Sequence, residues 1–319
     1  MTQGYSVTTE KRGGVEIYSL KRGGESLAEI APQWGNNCFL FHWRGAPILE
    51  AVPFETLAQK PTSYGIPILF PYPNRIRDGR FSFQGKSYTL DPPRHGFVRD
   101  KPWTVVGSGA SDAEGAWLSC RFDARDYPEK ILAQYPFPFV IEVTYRLKDN
   151  ALVMETRASN KGSADIPTGL GTHAYFTRPA KGTVTVPARR IWKLADSLPP
   201  GERIDLDAAH DLRKPADVSK LELDDVYTEV DADKDGRARC HLVDQGKKLT
   251  TTVEFSPREF PEVVVYTAPL PRMAICIEPY TCTTDAFNLA GKGVDPGSIT
   301  LPAGKSQSWT MWIRAAANG

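Results

Sequence analysis

Apolar and polar residues alternate along much of this chain, in short runs broken by glycine, proline, asparagine and aspartate. A period of two puts successive side chains on opposite faces of a sheet, so each run reads as a strand with one buried face. Phe139–Leu147 (FVIEVTYRL) and Ala151–Ala158 (ALVMETRA), joined by Lys148-Asp149-Asn150, predict a hairpin. Arg80–Leu90 (RFSFQGKSYTL) alternates on both sides of Gln84-Gly85-Lys86 and predicts another. Gly14–Leu20 (GVEIYSL) and Asn37–Trp43 (NCFLFHW) read as early strands. Thr183–Val186, Arg237–Val243, Thr250–Phe255, Val263–Tyr266, Ala274–Ile277 and Ser308–Ile313 follow. Helical periodicity is nearly absent; only Ala51–Lys60 and Asp126–Tyr135 have room for short helices. Many short strands with regularly spaced turns predict an all-β fold, a sandwich or a barrel, and with no linker-like stretch residues 1–319 read as a single domain.

One turn imitates a metal site. Asp231-Ala-Asp-Lys-Asp235-Gly236 begins like a calcium loop, but the twelfth position, where a bidentate glutamate belongs, is Leu242. A hairpin turn at Asp235-Gly236 is the better expectation.

Composition narrows the function classes. Lys+Arg is 39 against 38 Asp+Glu, a net charge of +1, without the basic excess of a nucleic-acid or membrane-surface binder. No apolar run reaches the ~18 residues of a membrane span. The opening MTQGYSVTTEKRGG lacks a signal-peptide core, so a cytoplasmic protein is expected, monomer or homodimer. Cys38, Cys120, Cys240, Cys276 and Cys282 show no CxxC spacing, which points to reduced thiols rather than zinc or a redox pair. Neither GxGxxG nor a P-loop is present, so no cofactor is expected.

The polar residues that stand out lie in five clusters among aromatics and turns. They are Tyr72-Pro73-Asn74-Arg75-Ile76, His95-Gly96-Phe97-Val98-Arg99, Gly171–Phe176 (GTHAYF), Leu223–Thr228 (LDDVYT) and Ile277–Tyr280 (IEPY). Singly, each has an ordinary explanation: Asn74 and Arg75 close a turn, His95 satisfies a loop, Asp224 caps one. Two are more pointed. His173 and Glu278 each end a strand-like segment, and one imidazole with one carboxyl makes an acid–base pair.

In order and approximate spacing, the clusters resemble the signatures of the aldose 1-epimerase (mutarotase) family, over most of the chain from about Gly65 to Trp312. The resemblance implies the large antiparallel sandwich of that family, the galactose mutarotase-like supersandwich, and an isomerase that needs no metal or other cofactor. It implies that Glu278 is the base at the C1 hydroxyl and His173 the acid at the ring oxygen. It further implies that Arg75 and His95, with Asn74 and Arg99 as further candidates, bind the sugar, together with one of Asp224 and Asp225. Trp103, Tyr175, Phe176 and Tyr280 are available for sugar faces or for the core. Hydrolysis is disfavoured, because a glycosidase pairing of Asp224 with Glu278 leaves His173 without a role.

The expected substrate is a small free aldose. The alternatives are a hexose 6-phosphate, since the HGFVR and IEPY forms lean toward a divergent branch of the family, and a non-catalytic carbohydrate-binding protein. A phosphate needs several converging donors. Arg77 and Arg80 flank a hairpin entry, Arg75 is taken by sugar hydroxyls and Arg94 reads as a loop residue, which leaves Arg99 alone. An imidazole acid also predicts a pH–rate profile that bends between about pH 5 and 8.

Overall fold

In the computed structural model, which describes residues 4–297 and 300–318, paired strands run antiparallel in sheets of nine, eight and five strands and in two two-stranded ones. The nine-stranded sheet contains the predicted hairpin at its centre. Phe139–Lys148 pairs with Ala151–Asn160 in register, and Ala151–Asn160 pairs in turn with Ser306–Ala317. Alternation works as expected here: Ile141, Val143, Tyr145 and Leu147 are buried, while Glu142, Thr144 and Arg146 are less so. The eight-stranded sheet runs Arg203–Asp205, Ala188–Trp192, Asp224–Val230, Glu262–Thr267, Ala274–Tyr280, Gly171–Thr172 and Ile68–Leu69, with Tyr175–Thr177 also paired to Ala274–Tyr280. One apolar cluster draws on both, joining Phe139, Ile141 and Val143 to Val263, Val265, Ile275 and Ile277. An N-terminal meander of five strands, from Tyr5–Arg12 to Ala46–Pro47, adds Leu20, Ala28, Ile30 and Phe41 to that cluster.

The Arg80–Phe83/Lys86–Thr89 hairpin is present, and Phe54–Gln59 is helical within the first predicted helix. The second helical segment is reduced to wound turns at Ala124–Asp126 and Pro128–Leu132. Asp231–Gly236 does turn tightly, with Gly236 at φ +80° donating to the Asp233 carbonyl. It is not a hairpin, however. The strand before it, Asp224–Val230, pairs with Ala188–Trp192 and Glu262–Thr267, whereas the strand after it, Ala238–Asp244, belongs to the nine-stranded sheet. The segment carries the chain from one sheet to the other, a distinction that local turn chemistry does not encode.

Ala274–Tyr280 is the strand that matters for function. Every residue of it is buried. Ile275 and Ile277 enter the main core, while Ala274, Cys276 and Tyr280 pack on the opposite face. Alternation therefore places Glu278 on that second face. A carboxyl there stands on a strand hydrogen-bonded on both sides, with little freedom to move.

No helix among the described residues is long and apolar enough to cross a membrane. All five cysteines are buried and unpaired.

Candidate active site

The second face of the eight-stranded sheet forms the floor of a cavity of about 410 Å3. Cross-strand register sets the floor: Asp224 lies opposite Tyr266, Tyr266 opposite Cys276, and Val264 opposite Glu278. The walls are loops, which bring in Asn74, Arg75, Arg94, His95, Arg99, His173 and Arg272.

Two of these loops are locked to one another. Arg75 and Arg94 form an antiparallel bridge, and the His95 amide donates to the Asn74 carbonyl at 2.8 Å. Asn74 at φ +56° and His95 at φ +67° both adopt left-handed backbone, which costs a non-glycine residue free energy and recurs at functional sites. Gly96 makes the arrangement possible. A Cβ there would meet the Phe70 carbonyl oxygen at 2.0 Å. The backbone amide of Asp285 donates to the Arg75 carbonyl, so the short helix Ala286–Gly291 anchors the wall from behind.

At the centre, His173 Nδ1 lies 3.3 Å from Glu278 Oε1. Neither atom has an aligned hydrogen-bond partner. The other carboxyl oxygen, Oε2, accepts from the Tyr280 hydroxyl at 2.7 Å. The imidazole stacks on Tyr175 with ring centroids 4.4 Å apart and meets His95 edge-on at 5.6 Å. Glycine again permits the geometry: a Cβ on Gly171 would reach within 2.5 Å of the Tyr280 ring.

Burial dominates the electrostatics, because removing water penalises charge. It holds the Glu278 carboxyl well above the usual carboxylate range, with Asp224 pushing the same way and the Tyr280 hydrogen bond opposing. It brings the His173 imidazole down to about 3, helped by the guanidiniums of Arg99, Arg272 and Arg94. His95 is likewise lowered, first by burial and then by His173 and the arginines. Both shifts favour the neutral forms, a carboxyl that keeps its proton beside an imidazole without one.

Most residues singled out from sequence converge here. Asn74, Arg75, His95, Arg99, His173, Asp224 and Glu278 all line the cavity. Asp225 does not. It is on the other face of its strand, with Oδ2 3.8 Å from His210 Nε2. Trp103 and Phe176 belong to the core, whereas Tyr175 and Tyr280 reach the cavity. Arg94, read from sequence as a loop residue, lines it too. Sequence reasoning missed Tyr266, Thr62, Ser63 and Arg272 altogether. Arg272 donates from Nε to both oxygens of Glu50, at 2.9 and 3.0 Å, and lies over the Tyr175 ring at 4.4 Å. Glu50 is 222 residues away in sequence, and nothing near either residue advertises the pairing.

Cys276 adds a third donor to the pair, the ligand atoms of His173, Cys276 and Glu278 lying within 4.8 Å of one another. Nitrogen, sulfur and oxygen would suit zinc. The setting opposes it: burial pushes the thiol well up, away from the thiolate a metal requires, and the surrounding guanidiniums repel a cation.

The site is thus a buried carboxyl–imidazole pair on a large antiparallel sandwich, at the floor of a cavity lined mainly by polar side chains. The chain belongs to the aldose 1-epimerase family, whose model matches residues 17–314. Its fold is similar to that of a galactose mutarotase-like protein from Clostridium acetobutylicum, with a TM-score of 0.88 at 23% identity over 98% of this chain and 99% of that one. It is also similar to the galactose 1-epimerase of Lactobacillus acidophilus, with a TM-score of 0.76 at 15% identity over 98% and 100%. A curated relative, the uncharacterized protein YihR of Escherichia coli (strain K12), is 28% identical over 119 residues. That match spans 34% of this chain and 35% of YihR, about a third of the relative's length.

Proposed function

We propose that this protein catalyses the interconversion of the α and β anomers of an aldose. The observation that carries this reading is the unpartnered approach of His173 Nδ1 to Glu278 Oε1 at the floor of the cavity.

Opening a cyclic hemiacetal takes a proton from O1 and gives one to the ring oxygen O5. It needs one group loaded with a proton and one empty. A protonated carboxyl beside a neutral imidazole, and a carboxylate beside an imidazolium, are the same neutral pair with the proton moved. Glu278 acts at O1 and His173 at O5. With the proton on His173, Glu278 receives the O1 proton while His173 delivers to O5, and the C1–O5 bond breaks. The open aldehyde turns about C1–C2 and recloses on its other face with the transfers reversed. Tyr280, through its hydrogen bond, steadies the carboxylate that this cycle requires. Asp224, Arg75 and His95 line the same cavity and would hold ring hydroxyls.

The test is NMR exchange spectroscopy between anomers, with Glu278→Gln and His173→Asn as probes. Each positioned acid or base contributes roughly 10²–10⁴-fold, so each variant is expected to lose at least about 100-fold with unchanged circular dichroism. A variant that keeps more than about a tenth of the rate removes its residue from the mechanism. An inert wild-type protein that still binds aldoses would make it a binding protein.

A further inference from the structure

We infer that Arg272, clamped by Glu50, is a positioning residue for His173: its guanidinium holds the Tyr175 ring, and that ring holds the imidazole in the orientation that proton transfer needs. The inference rests on the epimerase reading and adds a residue to it. Three separate segments build the clamp. Arg272 lies just before the strand that carries Glu278, Glu50 follows the N-terminal meander, and Tyr175 lies just after His173. Arg272 Nε donates to both carboxylate oxygens of Glu50, at 2.9 and 3.0 Å, and Nη2 donates to the Ser63 carbonyl at 2.6 Å. Glu50 is buried, and its backbone amide donates to the Tyr175 carbonyl at 2.9 Å. So held, the guanidinium lies over two rings, 4.6 Å from the centroid of Tyr64 and 4.4 Å from that of Tyr175. A planar, forked cation bound by a buried carboxylate has little freedom left.

The imidazole depends on such support. A histidine that handles protons is ordinarily oriented by a hydrogen bond to one of its ring nitrogens. Here Nδ1 has no aligned partner, and the Tyr175 hydroxyl stands 3.5 Å from Nε2, beyond the ordinary range of such a bond. Packing fixes the ring instead. It stacks on Tyr175 at 4.4 Å with 15° between the planes, and His95 and Tyr266 meet it edge-on at 5.6 and 6.0 Å. Misplacing a reacting group by about 1 Å costs on the order of 100-fold in rate. The guanidinium also bears on charge: Arg272 lowers the His173 imidazole, after burial and Arg99 and alongside Arg94. Glu278 and Cys276 stand against the same ring from the neighbouring strand, and a substitution at Arg272 leaves these groups in place.

The experiment compares Arg272→Gln, Arg272→Lys and Glu50→Gln with the wild type in two ways. NMR exchange spectroscopy with glucose, galactose and glucose 6-phosphate gives kcat and KM. The 15N resonances of the His173 imidazole, followed through pH, report its surroundings whether or not a sugar turns over. All three variants should lose about 10–100-fold in kcat, with KM changed less than about threefold. His173 should titrate higher in Arg272→Gln, which removes a cation. It should stay near its wild-type position in Arg272→Lys, which keeps the charge but not the forked, planar contact. Circular dichroism checks the fold; should Arg272→Gln not fold, Arg272→Lys and Glu50→Gln carry the test. Wild-type kcat in both of those variants overturns the inference and leaves the epimerase standing. A rise in KM at constant kcat overturns it too, because Arg272 would then bind sugar rather than place the imidazole. A wild-type protein inert on all three sugars, whose His173 resonances still shift in Glu50→Gln, counts against the epimerase reading and keeps the clamp. Resonances unmoved in every variant overturn the inference whatever the activity.

Discussion

Tyr280→Phe isolates one contact in the site. It removes a hydroxyl and keeps the ring, whose packing against Gly171 shapes the cavity floor. What disappears is the 2.7 Å hydrogen bond to Glu278 Oε2. That carboxyl is 1% exposed, so no solvent replaces the lost donor. A hydrogen bond to a charged group contributes about 1.5–3 kcal/mol, and it acts mainly on the carboxylate, the form Glu278 passes through when it takes the O1 proton. Losing it from that state alone raises the barrier by the same amount, a fall in kcat of about 10–150-fold. The resting state, with Glu278 protonated, loses only an ordinary hydrogen bond, so global stability should drop by about 1 kcal/mol. Anomer exchange by NMR gives the rate and urea unfolding the stability. A kcat within threefold of wild type would refute the claim that Glu278 cycles through a carboxylate held by Tyr280. A fall in stability as large as the fall in rate would show that the hydroxyl serves the fold instead.

Other outcomes follow from the same geometry. Because burial brings His173 down to about 3, kcat/KM should stay level from about pH 7 to about pH 5; an acid limb centred near 6.5 would mean that the imidazole titrates as if in water. Gly171→Ala should push the Tyr280 ring aside and cost at least about tenfold in kcat, since the added Cβ meets that ring at 2.5 Å; wild-type turnover would show that the ring position is immaterial. Glu262, buried where Trp192 Nε1 donates to it at 2.9 Å, has its carboxyl raised from 4.5 to about 8, first by burial. The folded state therefore holds a proton that the unfolded chain releases, so this contribution is full below about pH 4.5 and is lost as pH rises through about 8. Urea unfolding should show that decline in the wild type and a flatter curve in Glu262→Gln; parallel curves would place the titration elsewhere.

The parts of the site legible in sequence were those whose chemistry is local. His173 and Glu278 end strand-like runs and sit in recognisable clusters, and the hairpin from Phe139 to Asn160 follows from alternation and a turn. Where a decision depended on register, sequence left it open. Asp224 and Asp225 differ only in which face of a strand they occupy, and that is fixed by pairing Asp224 with Tyr266 across the sheet. Arg272 was invisible because its partner, Glu50, and its stacking ring, Tyr175, are remote in the chain. The pH dependence of His173 is hidden from sequence for a related reason: its pKa depends on burial, which no single residue reports. The Asp231–Gly236 turn shows the same limit in the fold, since its residues specify a reversal but not which sheet follows.

The division of the site between strands and loops bears on how such a protein diversifies. The carboxyl proposed to handle the proton sits on Ala274–Tyr280, a strand buried along its whole length, where nearly any exchange would disturb packing on one face or the other. The groups that would recognise the remainder of the substrate, Arg75, Arg94 and Arg99, are carried by loops that tolerate substitution far better. On the proposed function, lineages, or a directed-evolution library confined to those loops, would trade one sugar for another while the reaction stays fixed. Orthologues on this scaffold should drift in diet before they drift in chemistry.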